Sequence, residues 1–203
     1  MAVGAASSVV FLAIAQELAG GGGLVAHDEA VLTWFVDHRT DAWISAARFV
    51  STIGGFTSLL IVGVLVGVWL RTRGWRLVLA FAPVVALLLG SLASTTAKAH
   101  YGRDRPPVAV QATKVTLAAF PSGHATDAAS FFLAVSFVLA LTIAARRYVK
   151  VLLGVGGVAL AGLVGLSRLV LGVHWLSDVV AGWALGTTVA IAVVLALWYV
   201  ATR

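Results

Sequence analysis

The stretch LSDVVAGWALGTTVAIAVVLALWYV, residues 176–200, carries one charged side chain, that of Asp178, close to its first residue. About 20 apolar residues are enough for an α-helix to cross the hydrocarbon core of a bilayer. This stretch is long enough to cross with a tilt. It predicts a transmembrane helix and therefore a chain whose main solvent is lipid.

Four more apolar stretches precede it, at about residues 56–70 (extended by Ile53 and the glycines after it), 77–97, 125–145 and 151–166. A shorter run at residues 3–15 is followed by polar residues and glycines. We interpret this run as a sixth span, with a surface segment as the alternative. The sequence thus predicts an all-α, polytopic membrane helical bundle of about six transmembrane helices, a single domain over residues 1–203.

Residues 27–52 differ from the spans around them. Apolar positions recur at intervals of three and four among charged side chains, and Trp34 and Trp43 are among them. This spacing predicts an amphipathic helix, and the two Trp favour a position along the membrane interface. A solvated connector is the alternative, and neither interpretation gives the segment a chemical role.

The composition agrees with a membrane protein. Hydrophobic residues make up 61% of the chain and charged residues 11%, whereas soluble domains contain about 25% charged residues. The chain has 7 Trp and 21 Gly, which are frequent in membrane proteins. It has no Cys, and this excludes disulfides, zinc–thiolate sites and thiol nucleophiles.

The basic residues indicate the orientation of the chain. Loops 71–76 and 146–150 each contain three basic residues and no acidic one, and Arg203 ends the chain. The positive-inside rule places all three in the cytoplasm. The net charge of +6 is therefore mainly an orientation signal, and we expect no nucleic-acid partner.

Three segments at the opposite, outer face carry ionisable residues, at 98–106, 121–124 and 167–178. Such residues are costly near the membrane core and are candidates for function. Convergence of segments that are distant in the sequence is what an active site requires. The candidate residues are Lys98, Arg105, Ser122, Gly123, His124, Arg168, His174 and Asp178.

The cations of this group predict a phosphate ligand. Arg presents a planar fork that matches phosphate, and Lys adds a point charge. Lys98, Arg105 and Arg168 have almost no acidic residue near them in the sequence to balance their charge. Ser122 and Gly123 precede a span, so their backbone N–H groups would lie at a helix N-terminus, where phosphate binds. Ser122 also fits an N-cap.

The histidines predict the reaction. His174 and Asp178 lie four residues apart at the start of a helix and share its face. A carboxylate on one imidazole nitrogen fixes the tautomer and leaves the other nitrogen free to attack. We therefore expect His174 to attack phosphorus, His124 to protonate the leaving oxygen, and water to hydrolyse the phosphohistidine. Asp127 is placed either to orient His124 or to favour the helix N-terminus.

Other ionisable residues are left without a chemical role. The roles of Arg103 and Asp104 stay open, with an ion pair between them as one possibility. A zinc site is the main alternative chemistry, since two His and several Asp could bind the metal. The neighbouring Lys and Arg oppose a bound cation, so we expect no metal and no cofactor. We interpret the following as interfacial or snorkelling residues: His27, His38, His100, Arg39, Arg48 and Lys114.

The pattern Lys-x6-Arg-Pro, Pro-Ser-Gly-His and Ser-Arg-x5-His-x3-Asp resembles the three-part signature of the type 2 phosphatidic acid phosphatase superfamily. It matches without gap or substitution, and the resemblance covers about residues 27–200. It implies a helical bundle and metal-independent hydrolysis of a phosphate ester. It also implies that the candidate residues bind phosphate or act on it, with Asp178 supporting the nucleophile. The soluble vanadate-binding haloperoxidases share the signature, but this composition is not that of a soluble protein.

The resemblance implies a membrane lipid phosphate as substrate. A site at the outer face suits a pyrophosphate released in the outer leaflet, so we expect undecaprenyl or another polyprenyl pyrophosphate. Phosphatidylglycerol phosphate and phosphatidic acid are the alternatives.

The composition is typical of a high-GC bacterium. We therefore expect the protein to lie in the bacterial cytoplasmic membrane, with its site facing the periplasm or exterior. A non-enzymatic lipid carrier or scaffold would keep the cations without needing the His174–Asp178 pair. The sequence does not predict the oligomeric state.

Overall fold

The computed structural model describes residues 2–142 and 146–203, and over these residues the chain is helical, without a β-strand. This confirms the predicted all-α class. The helices are α1 Ala2–Gly20, α2 Asp28–His38, α3 Asp41–Ile53, α4 Phe56–Thr72, α5 Leu77–Ala80, α6 Ala82–Tyr101, α7 Gly123–Thr142, α8 Arg147–Val170 and α9 Leu176–Thr202.

Five of the described helices (α1, α6, α7, α8 and α9) are long and apolar enough to cross a membrane. Helices α3 and α4 together form a sixth candidate, bent by 49° at Gly54 and Gly55. The length of α1 supports its interpretation as a span. The predicted span 77–97 is broken at Phe81, between α5 and α6. The predicted end of span 125–145 includes residues 143–145, which lie outside the described residues.

Residues 27–52 form two helices, so the prediction of one amphipathic helix is wrong. Helix α2 ends at His38, and Arg39 is extended. The Thr40 hydroxyl then accepts a hydrogen bond from the Trp43 backbone N–H at 3.3 Å and caps α3. Thr is a favourable N-cap, and the apolar periodicity runs on through the break. Both helices pack against α8, and α2 also contacts α9.

Helix α7 lies at the centre of the bundle, against α6, α8 and α9, while α1 packs on α9. Small residues let α7 and α9 approach closely, as is common between membrane helices. A β-carbon at Gly182 would lie 2.7 Å from the Ser122 carbonyl oxygen, and one at Gly186 would lie 2.5 Å from that of Thr126. This packing brings the first turns of α7 and α9 together.

Candidate active site

The three predicted segments meet at one end of the bundle, and each candidate residue lies at or beside a helix end. Lys98 is in the last turn of α6, Arg168 is in the last turn of α8, and Asp178 is in the first turn of α9. His124 is the second residue of α7. It lines one cavity together with Arg168.

His174 lies in the turn between α8 and α9 and is only 2% exposed. The turn depends on Gly172, which has φ +65° and whose β-carbon would lie 2.6 Å from the Val110 carbonyl oxygen. His174 Nδ1 is 3.3 Å from Asp178 Oδ2, which also accepts a hydrogen bond from the Trp175 backbone N–H at 3.0 Å. A proton on Nδ1 that is donated to this carboxylate leaves Nε2 with its lone pair.

The surroundings of His174 favour the neutral imidazole. Burial lowers the pKa of His174 well below the ordinary 6.5, and the Arg105, Lys98 and Arg168 cations lower it further. Nε2 of His174 is 3.1 Å from Nη1 of Arg105. Burial also lowers the pKa of Arg105, while the Asp178 carboxylate raises it. A neutral imidazole is the form that attacks phosphorus.

The cations of the site are held by neutral backbone groups. Lys98 Nζ donates to three carbonyl oxygens of segment 118–121, at 2.6–3.2 Å. Arg105 donates to the carbonyl oxygens of Leu117 and Val173 at 2.5 and 2.6 Å. Within residues 2–142 and 146–203, neither cation pairs with a carboxylate, and neither does Arg168. Their charge is therefore left to balance an anion.

Three buried side-chain atoms have no hydrogen-bond partner among the described residues, and two of them suit phosphate oxygens. They are Nε of Arg168 and Oγ of Ser122, side chains that are almost wholly buried. Another nitrogen of Arg168, Nη1, donates to the Ser51 hydroxyl. Unpaired buried donors are costly, so a bound phosphate oxygen would relieve that cost at each.

Ser122 differs from its prediction in two respects. Its hydroxyl does not cap α7, and its backbone N–H donates to the Asp178 carbonyl oxygen at 2.9 Å instead of being free for phosphate. The reason is the close approach of α9 to the start of α7 at Gly182. The side chain of Ser122 is therefore the part available to a ligand.

A cavity of about 590 Å³ opens beside His124 and Arg168 at the bend between α3 and α4. Its wall includes Arg48, which the sequence left as a surface residue and which also donates to the Ala112 carbonyl oxygen at 2.6 Å. The polar side chains that also line it are Ser51, Thr52, Thr57, Ser58 and Thr113. The cavity thus places two arginines and several hydroxyl groups next to the predicted general acid.

Asp127 fits neither of the two predicted roles well. It lies beyond the first turn of α7. Its side chain forms a hydrogen bond with Ser91 of α6, and Oδ1 has no partner among the described residues. A role in orienting His124 is therefore without a supporting contact.

The sequence also gives no indication of Asp28, and it leaves the role of Arg103 open. Arg103 donates to Asp28 Oδ2 at 2.7 Å and to Asp178 Oδ1 at 2.6 Å. Asp104, the partner considered from the sequence, instead accepts a hydrogen bond through its carbonyl oxygen from Trp175. No local pattern distinguishes Asp28 from the other acidic residues of 27–52, because its burial is created by contact with α9.

In the described part of the chain, no group of three or more His, Asp or Glu side chains is placed to hold a metal ion. The donors that surround the site are Lys and Arg groups, which attract anions and oppose a divalent cation. The residues present therefore suit phosphate better than a metal.

Comparison with known proteins gives a family and a fold. Residues 79–201 match the model of the PAP2 superfamily. An undecaprenyl-diphosphatase of Sulfolobus acidocaldarius is 30% identical over 125 residues, which are 59% of this chain and 54% of that protein. Phosphatidylglycerophosphatase B of Bacillus subtilis is 38% identical over 68 residues, 33% of each chain. The matches thus span about half and a third of these relatives.

Two crystal structures have a similar fold. One is a transmembrane PAP2-type phosphatidylglycerolphosphate phosphatase from Bacillus subtilis, with a TM-score of 0.85, 24% identity and coverage of 95% of this chain and 94% of that one. The other is LpxE of Aquifex aeolicus, with a TM-score of 0.62, 15% identity and coverage of 83% and 94%. At these identities the likeness concerns the fold alone.

Proposed function

This chain belongs to the PAP2 superfamily, and on that premise we propose that it is a membrane lipid phosphatase that acts through a phosphohistidine on His174. The observation that carries the proposal is the buried His174, with Asp178 beside one ring nitrogen and the Arg105 guanidinium beside the other. An imidazole between a carboxylate and a phosphate-binding cation is arranged as an activated nucleophile.

The first step forms a bond between His174 Nε2 and phosphorus and breaks the bond from phosphorus to the bridging oxygen. The leaving oxygen takes its proton from His124, and the Asp178 carboxylate stabilises the phosphorylated imidazolium. A water molecule then attacks phosphorus and gives a proton to His124, and the N–P bond breaks. Lys98, Arg105 and Arg168 stabilise the charge on the non-bridging oxygens throughout.

The cavity beside His124 supports a polyprenyl pyrophosphate as the substrate. If His124 protonates the leaving group, that group occupies the cavity that His124 lines. Hydrolysis of a pyrophosphate leaves a lipid phosphate, whose charge suits Arg48 and the hydroxyl groups of the wall. Hydrolysis of phosphatidic acid leaves neutral diacylglycerol, with which Arg48 cannot form an ion pair.

A phosphatidylglycerol phosphate phosphatase is the second candidate. It is favoured by the sequence match to phosphatidylglycerophosphatase B of Bacillus subtilis. Its leaving group also carries a phosphate, although a glycerol unit separates that group from the bond that breaks. A comparison of rates on both lipids decides between the two candidates.

The catalytic test is phosphate release by the purified protein in detergent with EDTA, on polyprenyl pyrophosphate, phosphatidylglycerol phosphate and phosphatidic acid. We expect EDTA to have no effect and the pyrophosphate to be hydrolysed with the highest kcat/KM. Loss of activity in EDTA would contradict the metal-free mechanism. His174→Ala should abolish release, whereas a carrier that only binds lipid phosphate would keep its binding after this exchange.

We place the site at the outer face of the bacterial cytoplasmic membrane. The basic loop 71–76 supports a cytoplasmic position for the opposite end of the bundle. Because the chain has no Cys, single cysteines report their side of the membrane cleanly. Thr116→Cys, exposed in the loop of the site, should react with an impermeant maleimide in intact cells. Thr72→Cys should react only after lysis, and the reverse result would overturn the orientation.

A further inference from the structure

A buried network of charges continues outward from the His174–Asp178 pair. Arg103 bridges two carboxylates, with Nη1 2.6 Å from Asp178 Oδ1 and Nη2 2.7 Å from Asp28 Oδ2. Ser177 connects the same groups, because Arg103 Nη1 donates to its hydroxyl at 2.7 Å and that hydroxyl donates to Asp28 Oδ2 at 2.5 Å. The Asp28 and Asp178 side chains are 4% and 0% exposed, and that of Arg103 is 17% exposed.

The two oxygens of Asp178 have separate partners. Oδ1 accepts from Arg103, and Oδ2 faces His174 Nδ1 and the Trp175 backbone N–H. A buried carboxylate without a cation tends to take up a proton, since desolvation penalises its charge. A protonated Asp178 could donate to His174 Nδ1, and the imidazole proton would then sit on Nε2. Arg103 keeps Asp178 as an acceptor, and the proton of His174 therefore stays on Nδ1 and not on Nε2.

Asp28, which is distant from Arg103 in the sequence, holds the Arg103 guanidinium beside Asp178. It is the first residue of α2, far from the motifs in sequence, and its Oδ1 accepts from the Ser177 backbone N–H at 2.8 Å. That contact also fixes the first turn of α9, which carries Asp178. The Arg103 guanidinium in addition lies over the Trp175 ring, with Cζ 5.7 Å from its centroid. The contacts with Asp28 and with the Trp175 ring limit the rotation of Arg103.

We propose that Arg103 and Asp28 are positioning residues for the nucleophile, forming a chain Asp28–Arg103–Asp178–His174 that maintains the Nδ1–H tautomer of His174. This inference rests on the proposed function of His174. It gives a role in catalysis to the segment 27–52, for which the sequence predicts none. Removing the outer partners that orient the ligand histidines of metal sites typically costs about 10- to 100-fold, and we expect a loss of this order for the partners that orient His174.

The test combines kinetics with a direct measurement of the tautomer. Arg103→Gln removes the cation, Asp28→Asn removes the outer carboxylate at constant shape, and Arg103→Lys keeps the charge without the planar fork. Phosphate release gives kcat and KM, and ¹⁵N NMR of histidine-labelled protein in detergent reports which nitrogen of His174 carries the proton. Comparison with His174→Asn assigns the His174 signals.

We expect Arg103→Gln to lower kcat by about 10- to 100-fold with little change in KM, and to move the His174 proton towards Nε2. Arg103→Lys should recover part of kcat. The kcat of Asp28→Asn should lie between those of wild type and Arg103→Gln. The loss of kcat in the double variant should be smaller than the product of the two single losses, because both residues act through one contact.

Two controls separate positioning from folding. Asp37→Asn makes the same exchange at an exposed position of α2 and should alter neither kcat nor the tautomer. Arg39→Gln removes a partly buried arginine that donates to the Val110 and Val170 carbonyl oxygens, so it should lower the melting temperature without moving the His174 proton.

The outcomes distinguish the inference from the proposed function. If His174→Ala is inactive while Arg103→Gln and Asp28→Asn keep the wild-type kcat and tautomer, the network is only structural and the inference is wrong. If His174→Ala keeps its activity, the proposed function and the inference both fail. If Arg103→Gln does not fold, Asp28→Asn and Arg103→Lys decide by the same two measurements.

Discussion

Exchanging Asp178 for Asn tests the chemistry at the smallest possible change of shape. Asp178 accepts from three donors: Arg103 on Oδ1, and the Trp175 N–H and His174 Nδ1 on Oδ2. Asn has one carbonyl oxygen, and the charged Arg103 should take it. The NH₂ group then faces His174, so Nδ1 must accept and Nε2 must carry the proton. The nucleophilic lone pair is thereby lost.

The expected size of the effect follows from that tautomer. The same exchange beside a catalytic imidazole elsewhere lowers kcat by about 10⁴-fold, which corresponds to about 5.4 kcal/mol at about 1.36 kcal/mol per decade. The amide NH₂ also opposes the Trp175 N–H, and this buried conflict should destabilise the fold by about 1–3 kcal/mol. KM should change little, because Asp178 does not contact the phosphate in this mechanism.

The assay is phosphate release by Asp178→Asn in detergent, with the melting temperature measured on the same preparation. Asp37→Asn serves as the matched exchange at an exposed site. A kcat of Asp178→Asn within tenfold of wild type in a folded protein would refute the assignment of Asp178 as the group that sets the His174 tautomer.

Three further predictions address packing, pH and substrate choice. Gly182→Ala should destabilise the protein by about 1–3 kcal/mol, since its β-carbon would lie 2.7 Å from the Ser122 carbonyl oxygen. Gly162→Ala should not lower the melting temperature, because no atom outside the neighbouring backbone of its own helix lies within 4 Å of the added carbon. Equal melting temperatures of the two variants would contradict the packing argument. Native His174 has a pKa below 6.5, so the unfolded chain binds the proton first as pH falls. The free energy of unfolding should therefore decrease below about pH 6.5, by up to about 1.4 kcal/mol per pH unit. The decrease should be smaller in His174→Asn, and identical slopes in the two proteins would refute this prediction. Arg48→Gln should reduce the preference for pyrophosphate over phosphatidic acid by about 10- to 150-fold, the effect of one lost ionic hydrogen bond of about 1.5–3 kcal/mol. The same exchange at the exposed Lys114 should leave this preference unchanged.

Much of the fold could be predicted because lipid demands long apolar helices with internally bonded backbones. The apolar stretches gave the helices that carry the site, and the first run is indeed a helix long enough to cross. The break at Thr40 was missed because a cap depends on a single hydroxyl and leaves the apolar period unchanged. The break at Phe81 was missed because the run around it is apolar on both sides.

The candidate site could be predicted in outline and not in its contacts. Motif spacing indicated which residues meet, since each candidate lies beside a helix end at one face. It could not indicate that the Ser122 amide is used by Asp178, because that contact depends on how closely two helices approach. The proximity of Arg48 to His124 across the cavity likewise depends on the bend between α3 and α4.

The sequence by itself determined the solvent of this protein, its helical class and the residues that could act on phosphate. These properties follow from composition, apolar length and motif spacing, which are local. The tertiary structure alone decided that Asp28 is buried against Arg103 and Ser177, and that Lys98 and Arg105 are held by carbonyl oxygens instead of carboxylates. Burial and charge pairing arise between segments far apart in the chain, so no local pattern encodes them.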